Sequence, residues 1–177
     1  MSDETTTQAP AATGQVPSPG DFTSSPLRNR IRLDLEAPVP EVWELVGDLS
    51  RFPEYSSGLE RVEAVVDGEG RCLEYTCYFK PFEEGAEGAV SRDVMKWYEP
   101  GRGYLSVEAG GTWGGHGTVA LTTLDPIGSG TRLTVEIHAD SDDLEAMKAH
   151  FDEALVDIAE NLIARFGGRI AERYVED

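Results

Sequence analysis

The chain has few basic residues, few cysteines and no long apolar run. Lysine and arginine together number 15 against 33 aspartates and glutamates, so the formal net charge is −18. Such a charge repels phosphate backbones and anionic headgroups, which argues against nucleic acid or membrane surfaces as partners. No apolar stretch reaches the roughly 20 residues that span a bilayer, and the N-terminus lacks a secretory signal pattern. We therefore expect a cytoplasmic protein without membrane insertion.

The only two cysteines, Cys72 and Cys77, are five positions apart in one predicted strand. Side chains alternate between the faces of a strand, so this spacing directs the two thiols to opposite faces and excludes a bridge between them. Neither cysteine has a partner at zinc spacing, and His116, His138 and His150 share no ligand spacing. The sequence also lacks a phosphate loop, a nucleophile elbow and a dinucleotide fingerprint. We expect no metal and no cofactor.

The chain divides into a polar tail and one domain. Residues 1–27 consist mainly of Thr, Ser, Pro, Gly and Ala, and such a stretch buries too little apolar surface to offset its ordering entropy. We therefore predict a disordered tail at 1–27 and a single ligand-binding domain at 28–177. A domain near this size buries about 70% of the surface of its unfolded chain, which allows a sizeable core.

The first two thirds of the domain read as strands with one helical interruption. Apolar and polar residues alternate over 30–35, which predicts a strand. Pro40 and the apolar face around Trp43 then indicate a helix, which Pro53 breaks into two short pieces. After Gly58, short alternating runs are separated by turn signals with no helix between them. Strands joined by such short connections are antiparallel neighbours, so we predict six further strands.

The last predicted element is a long amphipathic helix. Asp142 and Glu145 make a capping-box-like start, and apolar residues then recur at spacings of three and four up to Ile170. A helix from 142 to the Gly167-Gly168 pair is about 37 Å long at 1.5 Å per residue, enough to cross a sheet. The predicted fold class is α+β, with a seven-stranded antiparallel sheet wrapped around this C-terminal helix.

Three segments resemble features of a known superfamily. APVPEVWELVGDLSRFPEYSSGLERVE is similar to its opening strand-helix-helix segment, WYEPGRGYLSVEAG to its mid-sheet hairpin, and LDPIGSGTRLTVEIHAD to the hairpin before its final helix. Over about residues 30–170 the chain resembles the helix-grip fold of the START-like (SRPBCC) superfamily, in particular its polyketide cyclase/dehydratase group. The resemblance implies an apolar cavity between the sheet and the long helix, which the short helices close at one end.

Polar groups that face such a cavity are the candidates for chemistry. In RCLEYTCYF, Tyr75 lies on the more apolar face, and SRDVMKWY directs Asp93, Met95 and Trp97 inward if its basic residues remain in water. His116, among four glycines, is suited to titrate near neutral pH as a general acid or base. We predict His116, Asp93 and Tyr75 as catalytic residues, with an exposed or structurally satisfied His116 as the alternative.

The predicted ligand-binding residues are aromatic or apolar side chains around the cavity. They are Trp43, Tyr55, Met95, Trp97, Trp113, Phe151 and Leu155. For Trp43, simple core packing is the competing interpretation, whereas Tyr55 is balanced between packing and contact with the ligand. Glu108 alternates opposite Leu105 and Val107, so we expect it outside the cavity.

The resemblance implies a cofactor-independent enzyme that binds a hydrophobic polyketide or polycyclic intermediate and promotes cyclisation or dehydration. Two alternatives remain open: a non-catalytic carrier of a lipid, quinone or polycyclic metabolite, and an interaction domain that acts through its acidic surface. A carrier protein and a second copy of this chain also remain open as partners. A titratable group buried beside Asp93 or His116 would favour catalysis over carriage.

Overall fold

The computed structural model describes residues 15–112 and 117–177, which contain one antiparallel sheet and one long helix. The strands are β1 (Leu27–Leu35), β2 (Leu59–Val66), β3 (Cys72–Phe79), β4 (Val90–Glu99), β5 (Gly103–Gly111), β6 (Val119–Ile127), β7 (Gly130–His138) and β8 (Gly168–Val175). The helices are α1 (Val39–Val46) and α2 (Leu144–Phe166), with 3-10 helices at Pro19–Asp21 and Leu49–Glu54. The strand order in the sheet is β2-β3-β4-β5-β6-β7-β1-β8.

The helix-grip fold predicted from the sequence is confirmed, but the sheet contains one strand more than predicted. The helix α2 ends at Phe166, where Gly167 adopts φ 73° and the chain turns away from the helix. Ile170, which we assigned to the helix, lies in β8 opposite Leu33 of β1. Ile170 fits the helical spacing by coincidence, because an amphipathic strand also places apolar residues at regular intervals. The glycine pair is the signal that separates the two elements.

Part of the predicted disordered tail has defined structure. Residues 15–26 include the 3-10 helix Pro19–Asp21, which contacts β6, and Pro19 is buried. Prolines restrict the unfolded chain, so ordering this stretch costs less entropy than its polar composition suggests. Residues 1–14 lie outside the described residues.

The helix α2 packs closely on only one part of the sheet. Leu155, Ala159 and Leu162 share a buried cluster with residues of β1, β7 and α1. At the end of α1, the hydroxyl of Tyr98 donates a hydrogen bond to the Gly47 carbonyl at 2.7 Å, which ties the helix to β4. A hollow remains between α2 and the strands β3 to β7.

The sheet also carries apolar side chains on its other face. The register of β4 against β5 shifts between Met95 and Trp97, the mark of a β-bulge. As a result Met95 and Tyr98 both join the cluster on the α2 side. Trp97, which we predicted to face inward, joins a separate cluster on the opposite face with Leu105, Val119 and Leu121.

Both cysteines are free and buried. They nevertheless contribute to one cluster, whereas the sequence predicted opposite faces. The pairing of β2 with β3 is irregular between Val65 and Val66, and Val66 is the partner of Cys72. The alternation of side chains is interrupted there, so a five-residue spacing no longer separates the two faces.

Candidate functional site

A cavity of about 170 Å³ lies between α2 and the strands β3 to β7. Its apolar wall on the helix side includes Phe151, Leu155 and Ile158, and it is also lined by Phe52 of the 3-10 helix Leu49–Glu54 and Phe79 at the end of β3. The polar lining residues concentrate on β3, β4 and β5. The cavity is thus apolar along the helix and polar at one end, the arrangement expected of a site that orients a hydrophobic ligand.

Three polar side chains form a row across β3, β4 and β5. The strand register places Tyr75 directly opposite Asp93, and Asp93 directly opposite Glu108. All three side chains line the cavity. Directly opposed residues on one face of a sheet have Cβ atoms about 4.5 to 5.5 Å apart, so the two carboxyl groups are close neighbours.

Asp93 has the most unusual acidity in this row. Burial raises its pKa to about 7, and the nearby charge of Glu108 adds to the rise. Ser91 donates a hydrogen bond from Oγ to Oδ2 of Asp93 at 3.3 Å, which opposes part of this shift. Near neutral pH Asp93 can therefore exist in both protonation states, the condition under which a carboxyl group can both donate and accept a proton.

Tyr75 presents a fixed hydroxyl beside this pair. Its Oη is hydrogen-bonded to Oγ of Ser106 at 2.9 Å, and the bond is buried. Burial also raises the pKa of Tyr75 well above its ordinary value, so the phenol keeps its proton. A neutral hydroxyl held in this position can contribute a hydrogen bond to a bound carbonyl group.

His150 lies where the cavity opens to the outside. It lines both the cavity and an adjoining hollow of about 510 Å³ near the start of α2. Its ring centroid is 6.1 Å from that of Phe82 and 5.8 Å from that of Phe151. Burial lowers the pKa of His150, so the neutral imidazole predominates near pH 7. The sequence patterns did not single out His150, because it has no ligand spacing to another histidine.

Four predicted site residues line the cavity: Tyr75, Asp93, Phe151 and Leu155. His116 and Trp113 lie outside the described residues, so their roles stay predictions. The structure therefore brings together two of the three predicted catalytic residues and the predicted helix positions.

Four other predicted ligand-binding residues do not line the cavity: Trp43, Tyr55, Met95 and Trp97. The Trp43 ring packs at 5.3 Å from that of Tyr98, so its core-packing interpretation is the one the structure supports. Tyr55 is only 3% exposed within the main buried cluster. Phe52, three residues earlier, is the aromatic side chain of this segment that reaches the cavity.

The expectation for Glu108 was wrong. Tyr104 and Glu108 line the cavity, whereas Leu105 and Val107 belong to the cluster on the opposite face. We chose the more apolar side of β5 as the inner one, which fails where both faces of a sheet are buried. The bulge in β4 is what brings Glu108 opposite Asp93, and no residue in the sequence marks it.

In residues 15–112 and 117–177, no group of three or more His, Cys, Asp or Glu side chains is arranged to hold a metal ion. Within the same residues, no helix is both long and apolar enough to cross a membrane.

A sheet wrapped around one long helix, with a cavity between them and two short helices at its end, defines the START-like class of helix-grip proteins. A family model described as "Polyketide cyclase / dehydrase and lipid transport" matches residues 35–166. The chain belongs to this family.

Solved structures of other proteins share this fold. A START superfamily protein from Mycobacterium smegmatis is 14% identical with a TM-score of 0.66, over 78% of this chain and 97% of that one. The Zhui aromatase/cyclase from Streptomyces sp. R1128 is 14% identical with a TM-score of 0.60, over 79% and 93%. DynU16, a protein in the dynemicin biosynthetic locus, is 20% identical with a TM-score of 0.56, over 80% and 49%. No curated protein matches the chain.

Proposed function

We propose that this chain is a cofactor-independent cyclase or dehydratase that acts on a hydrophobic polyketide-like substrate. The observation that carries the proposal is the pair formed by Asp93 and Glu108, which face each other across two strands inside an apolar cavity. A neutral carboxyl group beside a second carboxyl group can give one proton while its partner takes another.

In dehydration, Glu108 removes the proton next to a substrate carbonyl, and the electron pair of that C–H bond forms the new C=C bond. The C–O bond of the β-hydroxyl breaks, and Asp93 supplies the proton with which the hydroxyl leaves as water. In ring closure, the same deprotonation produces an enolate whose carbon attacks a ketone, and Asp93 protonates the resulting alkoxide. Tyr75 donates a hydrogen bond to the carbonyl oxygen where negative charge develops.

The apolar wall contributes by holding the chain folded. Phe52, Phe151 and Leu155 restrict a flexible substrate to conformations in which the reacting carbons are close, and such positioning accelerates intramolecular reactions strongly. His116 stays a predicted third proton-transfer group, and the variant His116→Ala tests it separately.

The test is incubation with a linear poly-β-keto thioester, with products separated by chromatography and mass spectrometry. We expect Asp93→Asn to lower the rate of product formation by about 100-fold or more, the usual contribution of a general acid or base. Asp125→Asn, an exposed carboxyl group on β6 outside the cavity, is the matched control and should leave the rate unchanged. An Asp93→Asn variant with wild-type rate and product distribution would contradict the proposal.

A non-catalytic carrier is the second candidate, and the largely apolar cavity and the lipid-transport part of the family's description favour it. Native mass spectrometry of freshly purified protein separates the two. A carrier retains a co-purified small molecule that is released unchanged, and Asp93→Asn does not alter it.

A further inference from the structure

The cavity contains carboxyl groups but no lysine or arginine among its described lining residues, and burial lowers the pKa of its histidine, His150. All 15 lysines and arginines of the chain lie within residues 15–177 outside the undescribed stretch 113–116, and none of them lines the cavity. Asp93 and Glu108 do. An anionic group of a ligand that reaches the polar end would therefore meet two acids and no counter-ion.

The basic side chains are engaged elsewhere. Each of the 12 arginines lies within 4.0 Å of a carboxylate outside the cavity, as in the pairs of Arg132 with Asp34 and Arg92 with Glu74. Lys148 pairs with Glu145, and the other two lysines are exposed. In the part of the chain that the structure describes, the arginines and Lys148 are thus held by carboxylates away from the cavity.

The adjoining hollow near the start of α2 is also lined by acidic side chains. It adjoins the cavity, with which it shares the lining residues Thr118, His150 and Phe151. Asp142 and Asp143 line its rim, together with Asp140, which is 3.7 Å from Arg28. A negatively charged ligand is disfavoured by its surroundings along the whole path inward.

We propose that the cavity selects apolar ligands whose polar end is neutral or cationic and donates hydrogen bonds, such as phenols, enols and amines, and that it rejects carboxylates, sulfates and phosphates. A buried anion without a counter-ion is costly, whereas a hydroxyl or ammonium group can donate to Asp93 or Glu108. The inference rests on the proposed function only in that both use the same cavity.

Three ligands of one shape and different charge test the proposal: naphthalene-2-methanol, 2-naphthylmethylamine and 2-naphthoic acid. Isothermal titration of the full chain near pH 8 measures their dissociation constants. We expect the alcohol and the amine to bind at least about tenfold more tightly than the acid. An acid that binds within about threefold of the alcohol overturns the proposal, as does the absence of binding by all three.

Variants of Asp93 and Glu108 test whether these two carboxyl groups cause the selectivity. In Glu108→Gln and Asp93→Asn, we expect the preference for the alcohol over the acid to fall to about threefold or less, while Asp125→Asn keeps the wild-type preference. A preference that is unchanged in both cavity variants overturns the assignment to this pair. The wild-type comparison stands alone if a variant does not fold.

Affinity is measured here without turnover, so the outcome is separate from that of the proposed function. A protein that discriminates against the acid but forms no cyclised product supports the ligand selectivity and contradicts catalysis. The reverse combination contradicts the selectivity and leaves catalysis standing.

Discussion

Asp93 illustrates how strand register sets the chemistry of a single residue. Its carboxyl group is half-buried, lies opposite Glu108, and accepts one hydrogen bond from Ser91. Desolvation and a neighbouring negative charge both disfavour the ionised form, and one hydrogen bond from a hydroxyl does not compensate. The same residue on an exposed strand would have an ordinary acidity and no capacity for acid catalysis near pH 7.

This perturbed acidity predicts a pH dependence of stability. Because the pKa of Asp93 is about 7 in the folded protein and near 3.8 in the unfolded chain, the folded state binds the extra proton between these values. Stability attributable to this group therefore falls as pH rises from about 4 to 7. The difference between the folded and unfolded pKa values of Asp93 corresponds to a loss of at most about 4 kcal/mol in the free energy of unfolding, at about 1.4 kcal/mol per pKa unit.

Asp93→Asn removes this dependence. Between about pH 5 and pH 8 the wild-type protein should lose the stability that protonated Asp93 contributes, whereas the variant should not. We therefore expect the free energy of unfolding of the variant minus that of wild type to increase over this range. Urea unfolding at both pH values measures the difference, which reports Asp93 together with the neighbouring groups that interact with its charge, Glu108, Tyr75 and Cys77. A difference that is constant with pH, as expected for the control Asp125→Asn, would show that Asp93 ionises normally.

At the scale of elements, the junction between α2 and β8 depends on two glycines. Gly167 ends the helix, and Gly168 begins the strand at φ 130° opposite Leu35 of β1. A Cβ atom built on Gly168 would lie 2.1 Å from the carbonyl oxygen of Asp34, closer than any real contact. Only glycine allows both this conformation and this approach, so the final strand can pair with β1 directly after the helix.

Gly168→Ala should therefore destabilise the protein. The added methyl group forces the backbone of β1 and β8 apart in addition to the strained φ angle, so we expect a loss of about 2 kcal/mol or more in the free energy of unfolding. Gly58→Ala is the matched control, because a Cβ there meets nothing within 4 Å. Denaturant titration compares the two variants, and equal stabilities would contradict this account of the junction.

At the scale of the whole molecule, charge is unbalanced but not randomly placed. Every arginine lies within 4.0 Å of a carboxylate, but 33 acidic residues stand against only 15 lysines and arginines, so acids remain in excess and the formal net charge is −18. Individual exposed pairs stabilise little, while repulsion among the remaining acids acts on the compact state as a whole. Salt screens both the attraction within ion pairs and the repulsion among the acids. Because acids are in excess, we expect the loss of repulsion to dominate, so that salt stabilises the folded state.

We expect added salt to stabilise the protein near pH 7. Raising sodium chloride from about 10 mM to about 150 mM shortens the screening length to about 8 Å. This should raise the melting temperature by about 2 to 4 °C, which corresponds to about 1 kcal/mol for a domain of this size. Calorimetry at the two concentrations measures it, and near pH 4.4, where the net charge vanishes, the effect should disappear or reverse.

The sequence by itself determined the order of the elements from β1 to α2, the antiparallel character of the sheet and the long helix across it, because these follow from local periodicity and turn residues. It also predicted that Tyr75, Asp93, Phe151 and Leu155 face the cavity, because these positions need only the alternation of one strand or one face of a helix. Residues at these positions face the cavity in the structure as predicted.

Only the tertiary structure decided that Trp97 faces away, that Glu108 faces Asp93, and that a last strand follows the helix. Each of these depends on pairing between distant segments: a bulge that shifts register, a second buried face, and an edge of β1 open to pairing. Such contacts are stabilised by neighbours that are remote in the chain, so no local pattern of residues encodes them.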